Sequence, residues 1–118
     1  MNIFTYCFQV PGTLAADHIF TFEPASDIQI VHASLVNTSA NAGTLKIGSS
    51  ADDDCYLAAE NFGVSSDPVI VNTPAGFDGV TAAGQFPHIA KAVIVKVTIT
   101  DHASHMANAC VIVTATEG

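Results

Sequence analysis

Ala92-Val-Ile-Val-Lys-Val-Thr-Ile-Thr100 and Ala109-Cys-Val-Ile-Val-Thr-Ala-Thr116 are the two segments that decide the fold. Each alternates β-branched or small apolar residues at a period of two, the spacing at which side chains return to one face of a strand. Val93, Val95, Val97 and Ile99 share a face, as do Val111, Val113 and Ala115. Branching at Cβ restricts χ1 and suits a pleated, half-buried surface. The polar segment between them, Asp101-His-Ala-Ser-His-Met-Ala-Asn108, reads as a hairpin loop opened by Asp101 as an Asx-type turn. The closing pair is therefore expected to be two strands of one sheet.

The same period runs outward through the chain. Phe4, Tyr6, Phe8 and Val10 share one face of a first strand, ended by Pro11-Gly12. Ile19 to Phe22 is a second, closed by Pro24. Ile28 to Val36 is longer, with Val31, Ala33 and Leu35 expected on one face and Ile28, Ile30, His32 and Val36 on the other. Asn41-Ala42-Gly43 turns into a short strand at Thr44 to Ile47, and Val69 to Val71 follows Pro68 as another. Thr73 to Pro87 is rich in Gly, Ala and Pro and reads as a long loop pinned by Phe77 and Phe86. Ser50 to Phe62 is the helical candidate: Ser50 with Asp53 resembles a capping box, Asp52 to Asp54 suit a helix N-terminus, and Gly63 suits its end. The fold class is all-β, a single-domain β-sandwich or jelly roll of about seven or eight strands with at most one short helix. Residues 1–118 form that domain, with 1–10 as a terminal strand or arm.

Composition excludes some functions. The chain has 11 acidic residues against three lysines, Lys46, Lys91 and Lys96, and a net charge of -8. A basic footprint for phosphates is missing, which argues against nucleic acid and against anionic lipid. No apolar run approaches the about 20 residues of a membrane helix, and Met1 to Val10 does not have the pattern of a signal peptide. Synthesis and folding in a cytoplasm are expected. Charged residues are 12% of the chain, about half of the roughly 25% usual for soluble domains. Such a surface is covered either by Ser, Thr, Asn and Ala or by other subunits, and burial in an assembly is the preferred reading. Cys7, Cys55 and Cys110 are odd in number and widely spaced, so neither a disulfide framework nor a zinc site is expected.

Few residues cluster in a way that suggests chemistry. Asp101-His102-x-x-His105 offers a carboxylate and two imidazoles, but histidines three apart share a face only on a helical turn, and an exposed loop explains them. Asp52, Asp53 and Asp54 could attract calcium, yet they lack the spaced order of an EF-hand, and consecutive carboxylates diverge in a regular backbone. His18, His32 and His88 are isolated and read as structural. No nucleophile elbow, nucleotide-binding glycine loop or HExxH is present. The expectation is no catalytic residue, no metal site, no cofactor and no enzymatic activity. The aromatic row Phe4, Tyr6 and Phe8, with Phe77 and Phe86 of the long loop, supplies the candidate partner-interface residues, and a terminal strand can add to a neighbour's sheet.

Three segments together resemble a known class: Gly43-Thr-Leu-Lys-Ile-Gly-Ser-Ser-Ala-Asp-Asp-Asp-Cys-Tyr-Leu57, Ala92 to Asp101, and Ala109 to Gly118. They are similar to small β-rich virion proteins of tailed bacteriophages. The resemblance implies a capsid decoration (cement) protein, a homo-oligomer and specifically a trimer, that is assembled in the host cytoplasm. It would bind the outer surface of the head and clamp neighbouring major capsid protein subunits. It carries over no functional residues. Two rival readings remain: a lectin-like or receptor-binding module of a fibre or tail, recognising through loops 73–87 and 101–108, and a metal-dependent enzyme built on His102 and His105.

Overall fold

The computed structural model describes residues 2–39, 41, 43–62, 69–78, 85–100 and 105–118, and only the backbone of 59–62 and 69. Nine strands are seen among them: β1 (Ile3–Thr13), β2 (His18–Phe22), β3 (Ile28–Val36), β4 (Gly43–Ser49), β5 (Leu57–Phe62), β6 (Val69–Val71), β7 (His88–Ile89), β8 (Val95–Thr100) and β9 (Ala107–Glu117). A 3₁₀ turn at Pro74–Gly76 is the only helical element among the described residues. All the pairings are antiparallel. Sheet A has the order β1-β9-β3-β6, with β7 also on β3, and sheet B the order β2-β8-β4-β5. The all-β sandwich expected from the alternation is what forms, with β5 and β7 as strands beyond those marked out in the sequence.

The closing pair is not a hairpin. β8 lies between β2 and β4 in sheet B, whereas β9 lies between β1 and β3 in sheet A. Alternation states which side chains share a face; it does not state which strand supplies the hydrogen bonds. Both strands carry an uninterrupted apolar face, and facing each other across the core buries both at once. Val95, Val97, Ile99, Val111, Val113 and Ala115 are all fully buried. The chain crosses from one sheet to the other between them. The described end of that crossing turns through left-handed backbone at His105 and Asn108 (φ 43° and 49°).

The expected faces of the third strand are also corrected. Ile30 pairs with Ala115 and His32 with Thr114, so Val31 is an extra residue on β3. Such a bulge reverses the parity of the strand. Ile28 and Ile30 before it, and Ala33 and Leu35 after it, are therefore buried together, while His32, Ser34 and Val36 turn to the opposite face.

Ser50 to Phe62 is not a helix. The Tyr56 amide donates to the Ile47 carbonyl, closing residues 50–56 as the loop of a β4–β5 hairpin. Within it the Asp52 amide donates to Ser49 Oγ and the Asp54 amide to Asp52 Oδ1. Serine and aspartate satisfy the backbone locally here and compete with the helical ladder. Gly63, the expected helix terminator, lies outside the described residues. The loop folds back so closely that a Cβ on Gly48 would collide with the backbone of Asp52, Asp53 and Asp54.

Candidate functional site

The five aromatic residues expected at an interface fall into two groups. Phe4, Tyr6 and Phe8 are on the inward face of β1, half-buried against the core. Their partners come from the edge strand of the other sheet: Tyr6 stacks on Phe22 at 3.9 Å and Phe8 on Phe20 at 4.9 Å. The rings join the two layers along one open side of the sandwich, and burial pushes the Tyr6 phenol above its ordinary pKa. Phe77 is buried and meets the half-buried Phe86 edge-on at 6.0 Å. The pair pins the described parts of the 73–87 loop to the core; residues 79–84 lie outside the described set.

The reverse of β1 is part of a surface that sequence reasoning did not assemble. The outward residues of sheet A line up in rows: Ile3, Thr116, Gln29 and His88; Thr5, Thr114 and His32; Cys7, Ile112, Ser34 and Ile70; Gln9, Cys110 and Val36. None of them is a carboxylate or a lysine. Ile3 is 69% exposed and Ile70 51%. His32 Nε2 lies 3.1 Å from Ser34 Oγ, so part of the polar capacity of this face is satisfied within it. The surface was findable in part: every outward position of the first strand is uncharged in a chain of net charge -8. The other rows needed the strand register.

The acidic triplet lies on the outer face of sheet B. Contrary to the divergence expected of consecutive carboxylates, the turn brings an oxygen of each of Asp52, Asp53 and Asp54 within 4.8 Å of the others. Asp53 Oδ2 accepts from Lys46 Nζ at 2.8 Å. That hydrogen bond holds the Asp53 carboxyl below the ordinary range, while the hydrogen bond and charge of Asp52 raise Asp54. Asp101 and His102 lie outside the described residues; His105 is exposed, with its carbonyl accepting from Asn41 Nδ2. Cys7, Cys55 and Cys110 are free thiols.

No protein-family model and no curated protein sequence matches this chain. Its fold is shared by a chain of the cyanophage Pam1 capsid asymmetric unit at a TM-score of 0.54 and 16% identity, covering 99% of this chain and 84% of that one. A second structure, the Yersinia pseudotuberculosis-derived mitogen, aligns at a TM-score of 0.42 and 14% identity over 99% of this chain and 86% of its own.

Proposed function

We propose that this protein is a non-enzymatic structural component of a phage particle, a capsid decoration protein that binds the outside of the head and stabilises contacts between major capsid protein subunits. The observation that carries the reading is the outer face of sheet A, whose aligned rows hold no carboxylate or lysine on a chain of net charge -8. Burying Thr, Gln, Cys, Ile and Val beside His32 and His88 against a partner avoids the desolvation cost of carboxylates and lysines. Among the described residues, the clustered carboxylates Asp52, Asp53 and Asp54 lie on the other sheet. The fold shared with the Pam1 capsid chain supports the reading. No cofactor, nucleic acid or membrane enters this function. The chain works as a homo-oligomer; the resemblance of its sequence implies a trimer, whereas the edge geometry described below points to an even number of copies.

The test is sedimentation of the purified protein with heads of the phage whose particles contain it, together with light scattering of the protein alone. Saturable binding to the heads is expected. A monomer at micromolar concentration that fails to sediment with heads overturns the proposal.

A further inference from the structure

The geometry points to a site of self-recognition: the free edge of β1 pairs antiparallel with β1 of a second copy, about a two-fold axis at Tyr6. This does not rest on the capsid reading.

β1 ends the order of sheet A, with β9 on one side and no described strand on the other. The Glu117 amide donates to the Asn2 carbonyl at 3.2 Å, which fixes the phase of that ladder. In an antiparallel pair, backbone groups of alternate residues point to alternate sides. The even-numbered residues of β1 therefore bond to β9, and the amides and carbonyls of Ile3, Thr5, Cys7 and Gln9 point to the open edge. Edges of this kind are ordinarily blunted by charges, prolines or bulges. From Ile3 to Val10 there is no charged residue and no proline, and the first irregularity falls between Val10 and Thr13.

The occupant is a second copy for two reasons. Two chains of net charge -8 repel, so they associate through surface without charge. The strand is also complementary to itself. Pairing about Tyr6 sets Ile3 against Gln9, Phe4 against Phe8, Thr5 against Cys7 and Tyr6 against Tyr6, closing all four outward residues with about eight hydrogen bonds. Half-buried rings then meet half-buried rings on the inner face. A one-residue slip would turn those rings outward. A register centred on Cys7 would oppose Ile3 to Pro11, which has no amide hydrogen to give. The result is a continuous sheet through two subunits and an even-numbered oligomer, in place of the trimer that the sequence resemblance implies.

Sedimentation equilibrium of the full chain is expected to show a dimer at micromolar concentration. Thr5→Pro removes an edge-facing amide without touching the bonds to β9, and is expected to give a folded monomer. A register-specific pair keeps the test decisive if that variant does not fold. Thr5→Lys is expected to raise the dimer Kd about tenfold, and Thr5→Lys with Cys7→Glu to restore it, because residue 5 faces residue 7 of the other copy. A wild-type monomer, a trimer, a folded Thr5→Pro dimer, or a double variant no better than Thr5→Lys alone overturns the proposal. A dimer that ignores phage heads leaves it standing and removes only the capsid reading.

Discussion

The two outer faces of this sandwich contrast in chemistry although they share a core. Sheet B carries Lys46 and Lys96 on its strands and is crossed at Gly48 by the loop that holds three aspartates. Sheet A sets Thr, Ser, Gln, Cys, Ile and Val in aligned rows with no carboxylate or lysine. Charge faces water on one side, and the other side is suited to be covered. A domain that used both faces alike would have no reason to sort its few charges in this way.

The largest effect expected on that contrast comes from Gly48→Ala. The added methyl would meet the main chain of Asp52 to Asp54, which cannot yield as a flexible side chain can. The acidic loop would be displaced from sheet B, with a loss of about 3 kcal/mol in urea denaturation. Gly43→Ala sharpens the point: its closest obstacle is the flexible end of Met106, so a clearly smaller loss is expected from the same measurement. Next comes Phe22→Ala, which removes the ring that stacks on Tyr6 and approaches Phe8. A loss of about 2 kcal/mol is expected, since the ring is half-buried.

Ile112→Lys places a charge in the middle row of sheet A, between Cys7 and Ser34. Stability should change by less than about 1 kcal/mol, because the lysine stem covers the same surface. Binding to phage heads should be lost; retained binding would show that this face is not the one covered. The smallest effect is the response of sheet B to pH. The depressed pKa of Asp53 means that its contribution is present above its unfolded-state pKa and is lost as pH falls through the folded value. The raised pKa of Asp54 has the opposite sign: its contribution is full below the unfolded pKa and is lost as pH rises through the folded one. The two oppose each other, so the acid limb of a melting-temperature profile should be shallow. Carboxyl NMR titration should find Asp54 above Asp53, with Asp52→Asn bringing Asp54 down.

Much of the fold was legible because burial acts on alternation directly. β1, β2, β4, β6, β8 and β9 overlap the segments whose alternation marks them as strands, although β1 runs through Pro11-Gly12, its expected end, to Thr13. The errors share one physical origin. The Val31 bulge, the hairpin that replaces the helix expected at 50–62, and the separation of β8 from β9 all depend on which backbone groups meet partners far away in sequence. A side chain's preference for a face carries no information on that choice. The candidate surface was legible only at the odd positions of β1, because its other residues come from strands distant in the chain.

By itself the sequence determined the class, the inward residues of the final strands, the shortage of charge and the absence of a basic footprint. Each of these follows from the chemistry of single residues and their local period. Only the tertiary structure decided that β8 and β9 belong to different sheets, that Ile30 and Ala33 share a face, and that outward residues of five strands, none of them a carboxylate or a lysine, lie side by side. Strand pairing is settled by long-range hydrogen bonds and by the closing of a two-layer core, and these exist only once the whole chain has folded.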